Sequence, residues 1–117
     1  MTEALDRSRL AELAGVFGGE LPRMLDFVLQ SMTGSLARLE QALVEARLDA
    51  AIQAAHGCRN DALVVGARRL QRALEALETA ARESHLEQAR EALARVRAAW
   101  PDARRELERA LADLEAS

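Results

Sequence analysis

Leucine, alanine and valine return at helical intervals along almost the whole chain, and no other feature limits the fold as tightly. Between residues 21 and 43 the apolar positions Leu21, Leu25, Val28, Met32, Leu36, Leu39 and Leu43 recur at spacings of three and four. That is one continuous stripe on a helix of 3.6 residues per turn. Toward the C-terminus a seven-residue repeat runs through Leu86, Leu93, Trp100, Leu107 and Leu114. Ala89, Val96, Ala103 and Ala110 follow it three positions on. Strands would need alternating β-branched and aromatic residues, yet aromatics make up 3% of the chain and there is no Tyr. The fold class is all-α.

Five helical segments follow from the pattern and its punctuation. The first, roughly Thr2 to Val16, carries Leu5, Leu10, Leu13 and Val16 and stops at Gly18-Gly19. The second opens at Pro22, a favoured first-turn position, and runs to about Arg47, with Gly34 softening it. Asp49 is expected to cap the third, which ends at Val65 before Gly66. The fourth runs from Ala67 to Arg82 with Leu70, Leu74 and Leu77 inward. The last runs from Leu86 to about Leu114, and Pro101 is expected to kink or split it. Short connections make successive long helices antiparallel neighbours. The expected architecture is an antiparallel four-helix bundle, up-down-up-down, with a short extra N-terminal helix, in one domain spanning residues 1–117. The heptads of the last helix also suit an intermolecular coiled coil. Pro101 breaks that seam, so a monomer is favoured and a homodimer through the last helix is the alternative.

Charge and composition exclude several classes. Nineteen acidic and sixteen basic residues are interspersed and give a net charge of −3, without the basic stripe or stacking aromatics of a nucleic-acid binder. All the basic residues are Arg, consistent with the coding bias of a GC-rich genome. No apolar run reaches membrane-spanning length, and the start Met1-Thr2-Glu3-Ala4 lacks the basic and apolar blocks of a leader. The single Cys58 excludes an intramolecular disulfide and suits a reducing compartment, so the expected location is cytoplasmic.

The run Ala55-His56-Gly57-Cys58-Arg59-Asn60-Asp61 interrupts this otherwise structural sequence. On a helix over residues 49–65, Leu48, Ala51, Ala55, Cys58, Ala62 and Val65 form the buried face. His56 then turns to solvent, with Arg59 and Asn60 as its neighbours three and four residues on. Ile52 and Leu63 flank the patch as apolar shoulders, extended by Ala54 and Val64. His56 and Cys58, two apart, point in different directions and make no metal site. His85 reads as a surface or capping residue, and Trp100 as core or interface.

His56-Gly57-Cys58-Arg59-Asn60, followed by Val65-Gly66-Ala67, Leu70 and the pair Leu77-Glu78, resembles the signature of histidine-containing phosphotransfer domains. In that signature a His is followed by two residues, Lys and Gly, then small residues, an apolar residue, Gly and Ala. Arg59 stands for the Lys in a chain that has no Lys, Asn60 for the Gly, and Asp61 for a Ser or Ala. The resemblance covers about residues 17–78. It implies a phosphorelay intermediate that takes a phosphoryl group on His56 and exchanges it with an aspartate of a response-regulator receiver domain, alone or within a hybrid histidine kinase. Arg59 would neutralise phosphoryl charge and Asn60 would donate a hydrogen bond to it. Ile52, Gly57, Leu63 and Val64 would meet the partner, Gly57 leaving room beside the His. No cofactor of its own is implied, because the receiver brings Mg²⁺.

The chemistry agrees with that implication. A solvent-facing neutral imidazole is a competent nucleophile near neutral pH, and phosphoryl transfer asks mainly for positioning and charge neutralisation. No Gly-rich nucleotide loop is present, so phosphorylation from ATP by the chain itself is not expected. No nucleophile–base pair supports hydrolysis. Asp61 projects about 140° round the helix from His56. The alternative is a non-catalytic docking or scaffold module that keeps the fold, and Asn60 and Asp61 are the residues that favour it.

Overall fold

The computed structural model describes residues 3–116, which form helices α1 (Arg7–Phe17), α2 (Leu21–Val44), α3 (Leu48–Val65), α4 (Arg68–Arg82) and α5 (Leu86–Glu115). A single 3-10 turn over Gly18–Glu20 leads α1 directly into α2. The four long helices pack in cyclic order, α2 on α3, α3 on α4, α4 on α5 and α5 back on α2. The register is antiparallel: Glu40 pairs with Arg97, while the Leu43 carbonyl, further along α2, meets Arg90, further back along α5. The longest dimension is 46 Å, about the length of the 30-residue α5 at 1.5 Å per residue. The bundle is the expected one, with α1 laid across one end.

The stripes read from the sequence form the core. All seven periodic positions of α2 are buried, and Met32 and Leu39 have no exposed surface. Leu70, Leu74 and Leu77 of α4 are buried, as are Ala89, Leu93, Val96, Ala103 and Leu107 of α5. Leu86, Trp100, Ala110 and Leu114 pack on the margin of the core. Val16 departs from expectation: it is 77% exposed in the last turn of α1, and nothing in the structure explains its position.

Helix boundaries shift for definite reasons. The expected start of the first helix at Thr2 lies outside the described residues. Within them α1 begins only at Arg7, because the Asp6 carboxylate accepts the Ser8 amide at 2.9 Å and caps it. Just upstream, the Ala4 and Leu5 amides donate to the Glu106 carboxylate of α5, which carries the chain into the bundle and buries Leu5. The second helix opens at Leu21, one residue before Pro22, and ends at Val44 instead of Arg47, because the chain turns there.

The three turns between the long helices share one construction. Ala46, Gly66 and Ser84 adopt left-handed backbone, with φ of 57°, 73° and 60°. The next amide in each bonds back to the carbonyl five residues earlier: Arg47 to Ala42, Ala67 to Ala62 and His85 to Ala80, at 2.8, 2.9 and 2.8 Å. This is the Schellman pattern, which closes a helix through its own backbone. Arg47, Ala67 and His85 then stand at the N-terminal ends of α3, α4 and α5 with no side-chain cap. The expected cap by Asp49 is therefore replaced: Asp49 sits inside the first turn of α3, where its charge favours the positive end of the helix dipole.

Pro101 does not split α5, which runs unbroken from Leu86 to Glu115. Its ring is exposed, whereas Ala99, Ala103 and Leu107 on either side anchor the helix in the core. The lost hydrogen bond is outweighed by packing. Pro101→Ala is accordingly expected to raise stability by about 1–3 kcal/mol, measured by urea denaturation, through recovery of that bond and of helix propensity.

Candidate functional site

His56 stands near the middle of α3, its side chain 47% exposed, over a buried face of Ala51, Ala55, Cys58, Ala62 and Val65. Ala51, Ala55 and Cys58 are fully enclosed, as the helical spacing predicts. Burial, and then the charge of Asp61, pushes the Cys58 thiol up to about 12, so this cysteine is a small apolar filler. Asp61 turns toward α2, accepting a hydrogen bond from the Ser31 hydroxyl at 2.7 Å. Its carboxylate therefore has a local partner away from the imidazole.

The neighbours of the imidazole come from two helices. Arg59 Nη2 lies 2.9 Å from His56 Nδ1, which brings together the pair expected from the sequence. The second neighbour was not foreseen as a site residue. Glu78 of α4, only 7% exposed, places Oε2 3.3 Å from the same Nδ1. Arg82, one turn on, donates to that oxygen twice, from Nε at 3.0 Å and Nη2 at 2.8 Å. Arg59 Nε lies 3.4 Å from Glu78 Oε1, an ion pair whose two atoms are buried and outside hydrogen-bond geometry. One carboxylate thus faces Arg59, Arg82 and His56. Burial raises the Glu78 pKa, but the hydrogen bonds from Arg82, the close contact with His56 and then the charge of Arg59 outweigh it and hold the group below the usual carboxylate range. An ionised carboxylate held in place behind an exposed imidazole can fix the ring's orientation and stabilise positive charge on it.

The remaining expected residues divide. Asn60 is exposed beside His56, and its side chain makes no hydrogen bond among the described residues. Leu63 is 55% exposed, Ile52 is half-buried, and Val64 is half-buried against the core. Ala54, expected on the docking area, is instead buried, because it faces the core together with Ala51 and Ala55. At Gly57 an added Cβ would meet Ser35 Oγ of α2 at 4.0 Å, an ordinary contact, so the glycine borders α2 without being forced by it. His85 occupies the cap position of α5, its Nδ1 3.1 Å from Gln88 Oε1.

The end of α3 is held by α1. The Asp6 amide donates to the Gly66 carbonyl at 3.0 Å, Arg9 Nε to the Val64 carbonyl at 2.9 Å, and Arg68 Nη2 to the Asp6 carboxylate at 3.0 Å. Carbonyls left over at the helix terminus thereby gain donors, one of them cationic. A Cβ on Gly66 would lie 2.8 Å from the Asp6 Cβ and 3.0 Å from the Arg9 Cβ. The signature glycine is therefore a docking point for α1 as well as a turn.

No helix of the described residues is long and apolar enough to cross a membrane. No curated protein and no solved structure gives a match to the chain. The model of the Hpt domain family matches residues 23–117, a span that takes in α3, α4, α5 and all of α2 but its first two residues, with His56 and the Glu78 cluster. With the family's helical bundle and its histidine motif both on that span, the chain belongs to the Hpt domains, which act in phosphotransfer in two-component phosphorelay signalling.

Proposed function

We propose that His56 is the phospho-acceptor and that it exchanges its phosphoryl group with an aspartate of a response-regulator receiver domain, free-standing or part of a hybrid histidine kinase. The observation that carries this reading is a half-exposed imidazole whose Nδ1 faces the buried Glu78 carboxylate, with Arg59 one turn away. With the proton on Nδ1 directed at Glu78, Nε2 keeps its lone pair. That lone pair attacks phosphorus, the N–P bond forms, and the bond to the receiver's aspartyl oxygen breaks with its electron pair. The ring gains positive charge, which Glu78 offsets, while Arg59 and the amide of Asn60 meet the phosphoryl oxygens. The reverse reaction returns the group.

Ile52, Gly57, Leu63 and Val64 form the docking area around His56. Mg²⁺ and the acidic pocket belong to the receiver, and the chain works in the cytoplasm as a monomer without a cofactor of its own. Phosphotransfer from purified, phosphorylated receiver domains tests this directly. Wild type is expected to take up acid-labile, base-stable label, and His56→Gln to take up none. Label retained in His56→Gln would place the acceptor elsewhere. Receiver binding without any label would favour the docking-module reading, for which the exposed Asn60 at the family's glycine position is the specific observation.

A further inference from the structure

We infer that Arg59 holds His56 in an unreactive tautomer until an arriving phosphoryl group draws the guanidinium away. The inference rests on the phosphorelay reading above and concerns the regulation of the same site. Its basis is a conflict at one atom. His56 Nδ1 lies 2.9 Å from Arg59 Nη2 and 3.3 Å from Glu78 Oε2. A guanidinium only donates and a carboxylate only accepts, whereas a neutral imidazole nitrogen does one or the other. Both contacts are never hydrogen bonds at once.

The two arrangements have opposite reactivity. When Arg59 donates to Nδ1, the ring proton sits on Nε2, whose lone pair is then absent. When Nδ1 carries the proton and donates to Glu78, Nε2 is the nucleophile. The shorter contact is that of Arg59, so the resting ring is the Nε2–H form. Glu78 does not move to resolve the conflict, because two hydrogen bonds from Arg82 hold its Oε2.

Arg59 is free to exchange partners. Its Nε is buried 3.4 Å from Glu78 Oε1 without a hydrogen bond, so the inner end is held by charge while the side chain stays 30% exposed. A phosphoryl dianion is a far stronger acceptor for a guanidinium than a neutral ring nitrogen. Once its oxygens take Nη2, Nδ1 loses its donor. Water removes the Nε2 proton and returns one to Nδ1, with no net change in protons, and Nδ1–H turns to Glu78. The residue that neutralises the incoming charge thereby also releases the nucleophile, and does so only when that charge is present. Arg59 is thus a positioning residue for the ring in addition to its contact with the phosphoryl group.

Two-bond ¹H–¹⁵N correlation spectra of the ¹⁵N-histidine-labelled protein read the tautomers directly, at a pH alkaline enough to keep both imidazoles neutral. His85, engaged with Gln88, serves as internal reference. Wild-type His56 is expected to be mainly Nε2–H. Arg59→Ala is expected to shift the tautomer ratio toward Nδ1–H by about tenfold or more, the effect of losing one hydrogen bond from a charged donor. A wild-type ring already in the Nδ1–H form overturns the inference. So does an Nε2–H ring that Arg59→Ala leaves unchanged. The phosphorelay reading stands or falls separately: label on wild type with an Nδ1–H ring sinks the gate alone, and a gated ring that no receiver labels sinks the relay.

Discussion

Gly66→Ala is expected to cost about 2–4 kcal/mol of stability and to lower Tm by roughly 8–16 °C. The left-handed backbone at φ 73° is only part of the reason. Ala46 and Ser84 hold the same conformation in the same turn with side chains in place, so strain alone does not require glycine here. The larger part is steric. The new methyl group would lie 2.8 Å from the Asp6 Cβ, 3.0 Å from the Arg9 Cβ and 3.2 Å from the Asp6 amide nitrogen. None of these atoms is the end of a flexible side chain, so α1 has to retreat. Retreat loosens the bonds from Asp6 to Gly66, Arg9 to Val64 and Arg68 to Asp6, each with a net contribution of about 0.5–1.5 kcal/mol. Thermal unfolding followed by circular dichroism checks the value, and a loss no greater than about 1 kcal/mol would mean that α1 is not docked as described.

Glu78→Ala is expected to slow phosphotransfer about a hundredfold and to cost about 1–3 kcal/mol of stability. Without the carboxylate, Arg59 and Arg82 lose the anion they share. The stability loss stays below that of a fully buried pair because the Arg82 side chain is 57% exposed. Its pH dependence has a definite sign. Glu78 titrates below the usual range in the folded protein, so its contribution is fully present above the unfolded value near about 4.3. It fades as pH falls through the lower, folded value. Urea denaturation of wild type and Glu78→Gln should therefore differ most above about pH 5 and converge in stronger acid. A difference constant down to about pH 3 would show that the carboxylate's charge is not what stabilises the cluster.

The bundle was legible because burial follows the 3.6-residue period. The seven stripe residues of α2 and the Ala51, Ala55, Cys58, Ala62, Val65 face of α3 went inside as counted, while Leu48, expected on the same face, is only half-buried in the first turn of α3. Helix starts were less so, because Arg47, Ala67 and His85 enter their helices through backbone bonds made by the preceding turn, and such bonds leave no characteristic side chain. Pro101 was a local cue to a split that packing on both sides of it prevents. At the site, His56 and Arg59 were readable because they are helix neighbours, whereas Glu78 and Arg82 needed the antiparallel register of α3 and α4. One hint was present: Glu78 lies among Leu74, Leu77 and Ala81, with Arg82 four residues on, an acidic residue at the edge of a buried stripe. Gly66 read correctly as a helix end, but its contact with α1 depends on a chain path that no local pattern specifies.

The enclosed thiol beneath the site gives the molecule its own clock. Cys58, two residues from His56, has no exposed surface and its thiol is held up to about 12. A water-borne alkylating reagent therefore meets it only during moments when α3 leaves the core. The alkylation rate then measures the opening free energy of the histidine-bearing helix without any added probe. A receiver docked on His56, or a phosphoryl group seated on it, would register as a change in that rate.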